Sequence, residues 1–307
     1  MHNFPFVGLR RLWYTGSGLL VAASIVLFAI FGLRYGLDFT GGSLLEVGYA
    51  SQRPTVEALT QLLKETGAAD EKIQPSGSLD YIIRLPEISE DKHQDLLKKL
   101  SDQAAALAEG NTLSEKRFES FGPTLGSELK RNAVIAIILV LIAIIAYLAY
   151  AFRKVSRPVS SWKFGVVAVI ALTHDIFIPV GLFTLLGLLY GTEVDSLFVT
   201  ALLTLLGFSV HDTIVTLDRI RENLFKHQDL TFSEIVNVSI NETFTRSINT
   251  SLSTLFALIA IYFFGGATIR NFVLVLIIGI IIGTYSSVFI AAPLLVTWHS
   301  FSSKRKI

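Results

Sequence analysis

Six long apolar runs restrict this chain more than any other feature. They lie at 16–33, 132–152, 164–190, 194–217, 246–264 and 271–298. Each reaches the length, about 17–25 residues, that crosses a bilayer as an α-helix. The composition agrees. Of 307 residues, 51% are hydrophobic and 17% charged, whereas a soluble domain carries about 45–50% apolar and about 25% charged residues. The first run is longer than the apolar core of a secretory signal, about 7–15 residues, and Gly32-Leu33-Arg34-Tyr35 is a poor cleavage site. It is therefore read as a retained first span.

The short connections set an orientation. Arg10 and Arg11, then Arg153, Lys154, Arg157 and Lys163, then Arg219, Arg221 and Lys226, and finally Lys304, Arg305 and Lys306 all fall on one side. The opposite short loops hold Glu193, Asp195 and Arg270. The positive-inside rule predicts cytosolic N- and C-termini and an external segment between the first two spans. The expected plan is 1–33 for the cytosolic N-terminus and first span, 34–130 for a periplasmic domain, 131–298 for spans two to six with a cytosolic loop at 218–245, and 299–307 for a basic cytosolic tail.

The external segment has the pattern of a small α+β domain. Alternation predicts strands at 43–49, 72–75, 81–85 and 114–121, with a turn at Ser76-Gly77-Ser78. Helical spacing covers 55–66, stopped by Gly67, and 89–107, with Ser89 as N-cap. The order strand, helix, strand, strand, helix, strand predicts a ferredoxin-like unit. The fold class is thus a six-helix membrane protein carrying a ferredoxin-like domain.

Ionisable residues inside spans are the candidates for function, because a charge at the bilayer centre costs about 2.5–3.5 kcal/mol on insertion scales. Span three holds His174 and Asp175, with Pro179 four residues beyond Asp175. A missing backbone N–H there suits a relay or gate, or an ordinary interhelical hydrogen bond. Span four holds His211 and Asp212, and Ser209, Asp212 and Thr216 share one helical face. Span five opens with Arg246, and Glu242, Arg246, Asn249, Thr250 and Ser253 form a stripe. The expectation is a proton-responsive pair buried between neighbouring spans, in which ionised Asp212 pairs with Arg246 or with a cation of a partner. The plainer reading has Arg246 reaching the inner interface as an anchor. Gly279 and Gly283 form a small-xxx-small pair that admits a close helix neighbour.

Other chemistries are poorly supported. With no cysteine, disulfides and thiolate metal sites are excluded. Each His-Asp dipeptide offers one good ligand direction, and no further ligands stand at a useful spacing, so an intramembrane metalloenzyme is a weak alternative. Gly41-Gly42-Ser43 lacks the Gly-Lys-Ser/Thr ending of a phosphate loop. A net charge of +1 gives no basic face for nucleic acid. No cofactor is expected.

These residues resemble the SecF family of bacterial protein-export subunits. The resemblance rests on Gly36-Leu37-Asp38-Phe39-Thr40-Gly41-Gly42 after span one, and on Ala171-Leu172-Thr173-His174-Asp175 in span three. It continues through Gly207-Phe208-Ser209-Val210-His211-Asp212-Thr213-Ile214-Val215 into Asp218-Arg219-Ile220-Arg221-Glu222-Asn223, and through Asn241-Glu242-Thr243 to Arg246 and Thr250-Ser251. Between Tyr49 and Leu113 only length and pattern match. The resemblance implies a bacterial inner-membrane subunit that pairs with SecD in a twelve-helix unit akin to resistance-nodulation-division transporters. Such a unit assists the SecYEG channel and uses proton flow to move an emerging unfolded polypeptide. It implies that Asp212 and Arg246 conduct protons, that SecD supplies a further acidic residue, and that Asp38, Gly41 and Gly42 are the family motif after span one. His174, Asp175 and His211 are candidates for relay or gating. His211, where other small or polar residues could serve, adds a titratable group beside Asp212. Half of a small-molecule or lipid exporter, or a scaffold for a partner, are the alternatives.

Overall fold

A computed structural model describes residues 4–65, 72–153 and 160–304. The expected helix stop Gly67 and the basic residues Lys154, Arg157, Arg305 and Lys306 lie outside them. The chain divides into two compact units, Tyr35–Ala133 and the remainder.

The Tyr35–Ala133 unit is an antiparallel sheet covered by two helices and preceded by a short third one. Its elements are a short helix α2 (Leu37–Thr40), β1 (Gly42–Tyr49), α3 (Val56–Glu65), β2 (Lys72–Ser76), β3 (Asp80–Leu85), α4 (Glu90–Leu107) and β4 (Leu113–Phe121). The strand order is β2-β3-β1-β4 with every neighbour antiparallel. That is the split βαβ arrangement expected from the element order. Alternation explains the core: Leu45, Val47 and Tyr49 of β1 and Tyr81, Ile83 and Leu85 of β3 point to one face, where Leu59 and Leu63 of α3 and Leu96, Leu100 and Ala104 of α4 cover them. Ser89 occupies the N-cap of α4 in extended conformation, but its side chain makes no capping bond.

Gly41 and Gly42 explain the motif after span one. Their φ angles are 75° and 117°, a region that residues with a Cβ rarely enter. A Cβ on Gly42 would also lie 2.8 Å from the carbonyl oxygen of Leu85. The chain therefore turns out of α2 directly into the central strand β1.

The remaining unit is the helix bundle. Among the described residues, six helices are long and apolar enough to cross a membrane, making this a multi-pass membrane protein. They are α1 (Arg10–Phe31), α5 (Pro123–Ala151), α6 (Ser161–Tyr190), α7 (Ser196–Lys226), α8 (Phe232–Phe264) and a sixth span built from α9 (Ala267–Ser286), a π turn (Ser287–Ala291) and α10 (Ala292–Lys304). Asp195 caps α7 by accepting from the Phe198 N–H, and Thr231 with Glu234 forms a capping box on α8. The segment 218–245 is helix for most of its length, the ends of α7 and α8 flanking a short connection. Its charges are absorbed along the helices: Arg219 pairs with Glu222 and Glu242, Lys226 with Glu222, and Asn223 donates to Ser239 and Glu242. Asn237 and Asn241 of α8 also hold the chain at Phe4 and Val7, so that Phe6 is buried ahead of α1.

The deep part of the bundle is made by α6, α7 and α9, whereas α1, α5 and α8 expose most of their apolar surface. Gly279 and Gly283 seat α9 against α7: a Cβ on Gly279 would come within 2.5 Å of Leu205, and one on Gly283 within 3.0 Å of Ser209. The small-xxx-small pair is thus a packing device. α6 runs unbroken through Pro179. The irregularity falls instead in the last span, where Pro293 follows the π turn. In a regular α-helix a proline ring clashes with the carbonyl four residues back, here that of Phe289, and a wider turn relieves such a clash.

Candidate functional site

Two carboxylates lie inside the bundle, each held by hydroxyl groups. Asp175 of α6 is fully buried. His174 Nδ1 lies 2.8 Å from its Oδ1, while Ser209 of α7 donates to its Oδ2, as does Ser286 of α9 at 2.7 Å. Asp212 of α7 is 8% exposed. It accepts from Ser247 of α8 at 2.5 Å and from Ser287 of the π turn at 2.7 Å. A further polar contact joins Ser251 of α8 to Thr284 of α9. Four spans thus converge on one polar core, with the adjacent residues Ser286 and Ser287 bridging its two carboxylates.

The geometry follows from helical periodicity. Ser209, Asp212 and Thr216 are all buried, as their common face predicts. Thr243, Ser247 and Ser251 form the inward face of α8. Glu242, Arg246, Asn249, Thr250 and Ser253 form an exposed face of the same helix. This corrects one expectation: Arg246 is not buried and does not pair with Asp212. Successive residues on a helix point about 100° apart, so when Ser247 reaches Asp212 its neighbour Arg246 faces outward. Among the described residues no Lys or Arg forms an ion pair with Asp175 or Asp212.

The other candidates are placed as follows. His174 is 6% exposed, and its Nε2 is buried with no hydrogen-bond partner. Its ring stacks at 6.2 Å from that of Tyr285, whose hydroxyl meets Ser17 of α1 at 3.0 Å. His211 is exposed on α7. Asp38, Gly41 and Gly42 stand in the Tyr35–Ala133 unit. Among the described residues no three His, Cys, Asp or Glu side chains gather as a metal-binding group.

Sequence reasoning missed Ser247, Ser286 and Ser287. A usable signal existed in the hydroxyl spacing of Thr243, Ser247 and Ser251, and in the cluster Thr284, Ser286, Ser287 within an otherwise apolar run.

Comparison with known proteins assigns the family. The family described as protein export membrane protein SecD/SecF, C-terminal, matches residues 102–301, and the SecD/SecF GG motif matches residues 26–52. A protein translocase subunit SecF from Thermobaculum terrenum is 41% identical, covering 95% of this chain and 92% of that one. The chain belongs to the SecF family. A second SecF, from Anaerolinea thermophila, is 39% identical over 96% of this chain and 94% of its own. The crystal structure of SecDF from Thermus thermophilus, described as a translocon-associated membrane protein, superposes with a TM-score of 0.78 at 34% identity, covering 97% of this chain. This SecF-family chain spans 39% of that longer SecDF chain. The glycines that turn α2 into β1 fall inside the matched GG motif.

Proposed function

We propose that this chain is an accessory subunit of the Sec protein-export machinery in the bacterial inner membrane. In this reading it works with a SecD-like partner beside the SecYEG channel and draws on the proton motive force to promote late steps of translocation of an unfolded polypeptide. The single observation that carries the proposal is Asp212. It is a carboxylate inside an apolar bundle, held by two hydroxyls and, among the described residues, by no cation, which is an arrangement that can gain or lose a proton in place. Membership of the SecF family supplies the context.

Arg246 fits this reading through a partner. The exposed stripe from Glu242 to Ser253 crosses an apolar helix, and charge facing lipid is unfavourable. A SecD-like bundle laid against α8 covers the stripe and brings its own acidic residue to Arg246. The Tyr35–Ala133 unit then lies on the periplasmic side and both termini in the cytosol. The energy is of the right size: one proton crossing about 100 mV releases about 2.3 kcal/mol. A pH difference of one unit adds about 1.4 kcal/mol. Together these can cycle a domain whose two states differ by a few kcal/mol.

The test is Asp212→Asn at native expression, read by pulse–chase secretion and by co-purification with the partner. Secretion is expected to fall to the level of cells lacking the chain while the partner is still recovered. Normal secretion with the variant well expressed removes the proton role.

A further inference from the structure

Asp175 takes no part in the proposal above, yet it is the more deeply buried carboxylate and the better hydrogen-bonded. We propose that Asp175 is a second proton-binding site of this chain, coupled to Asp212 through the neighbouring hydroxyls of Ser286 and Ser287. The inference rests on the proton-responsive reading of Asp212 and adds a site to it.

The argument begins with the hydroxyls. A serine O–H carries one proton and can accept as well as donate. Ser286 Oγ lies 2.7 Å from Asp175 Oδ2 and 3.1 Å from the carbonyl oxygen of Gly283. Ser287 Oγ lies 2.7 Å from Asp212 Oδ2 and 3.0 Å from the carbonyl oxygen of Thr284. Each hydroxyl therefore has two acceptors in reach, a carboxylate and a carbonyl of its own helix. With the carboxylate ionised, the serine donates to it. Once a proton binds the carboxylate, the serine turns its own proton to the carbonyl and accepts from the new O–H. The proton comes from outside the pair, the serine keeps its own, and neither that serine nor the carboxyl it meets loses its partner. An amide or a methyl at these positions has no such choice.

Coupling follows from adjacency. Ser286 and Ser287 sit where α9 passes into the π turn, so their backbones move together. Ser209, which donates to Asp175, lies one turn before Asp212 on α7. A shift of either carboxylate is thus passed to the other by two routes, and two negative charges inside one low-dielectric core repel. The groups that face the pair are few. His174 adjoins Asp175 on α6, and Tyr285 of α9 stacks on His174. α8 contributes Ser247, with Glu242 and Arg246 on its exposed face, and α7 carries His211 outward. The Nε2 of the His174 ring is buried without a hydrogen-bond partner.

The experiment is infrared difference titration of the full chain in lipid bilayers, following protonated-carboxyl bands from alkaline to acid pH. Asp175→Asn and Asp212→Asn assign the bands, and Ser286→Ala and Ser287→Ala keep both acids. Two titrating bands are expected. The Asp212 titration should move by about one pH unit or more in Asp175→Asn, the size that marks interacting sites. Ser286→Ala should alter the Asp175 band and Ser287→Ala the Asp212 band. An Asp212 titration unchanged in both Asp175→Asn and Ser286→Ala overturns the coupling, and the absence of any Asp175-dependent band overturns the second site. Because the readout is spectroscopic and not export, it can fail while the Asp212 secretion test succeeds, or the reverse.

Discussion

Asn111 in the Tyr35–Ala133 unit and the Asp175–Asp212 pair in the bundle solve the same problem in opposite ways. Each is a polar group taken out of water. Asn111 is 3% exposed and bound by fixed partners. It accepts from the N–H groups of Ser51 and Gln52, and donates to the carbonyls of Gln52 at 2.8 Å and Ala104 at 3.0 Å. Every bond but the Ser51 hydroxyl is to backbone, so the amide has one orientation and pins the strand exit to α4. The bundle carboxylates are met by serine hydroxyls, and by a histidine ring at Asp175. A hydroxyl rotates at little cost, so the same atoms can serve an ionised or a protonated acid. Backbone partners make a framework, and hydroxyl partners leave a choice of state.

The strongest way to break this contrast is Asn111→Ala. It strips several buried backbone groups of their partners at once, which costs about 3 kcal/mol. Limited proteolysis of the full chain across a temperature series should show early cleavage within 35–133, with the bundle still resistant. Equal loss of resistance in both units would mean that Asn111 is not a local clamp.

Next in size is Gly279→Val. The added carbons meet Leu205 at a point where even one Cβ lies 2.5 Å from it, and such overpacking costs about 1–3 kcal/mol. Thermal unfolding of the bundle in detergent measures that cost. The same change pushes α9 from α7 and lengthens the reach from Ser286 and Ser287 to their acids. Destabilisation with unchanged carboxyl bands would show that the hydroxyls follow their acids without help from helix spacing.

These two variants also mark what was legible in the sequence. The spans and the ferredoxin-like order could be read because periods of 3.6 and 2 are written directly in the apolar pattern. The burial of Asp212 with Ser209 and Thr216 could be read for the same reason. The facing of α8 could not. That helix carries two polar stripes, one charged through Glu242 and Arg246 and one of hydroxyls through Thr243, Ser247 and Ser251. Periodicity identifies stripes but does not say which faces inward. Charge complementarity favours the charged one, whereas burial in an apolar bundle favours the one without net charge, and the second prevailed. The π turn was not legible, because Pro179 and Pro293 both stand in apolar runs and only the second lies beside an irregular turn.

The smallest effect sharpens the contrast from the other side. Tyr49 is 4% exposed on β1, and its hydroxyl is buried without a partner, so here the framework unit neither fixes nor frees a polar atom. Burial pushes the phenol above its ordinary value, and the neighbouring Tyr81 adds to this. A group that holds its proton more tightly when folded stabilises the fold fully at pH values below its unfolded pKa, about 10 for tyrosine. That contribution fades as pH rises from there toward the folded value. Tyr49→Phe removes an unpartnered hydroxyl and should change stability by less than about 0.5 kcal/mol near pH 7. Above about pH 10 the variant should become the more stable of the two, because it has no phenol to ionise. Paired thermal melts of variant and native chain at neutral and alkaline pH measure the gap. A clear loss at pH 7 would show that the Tyr49 hydroxyl does have a partner in solution, as Asn111 has in the structure.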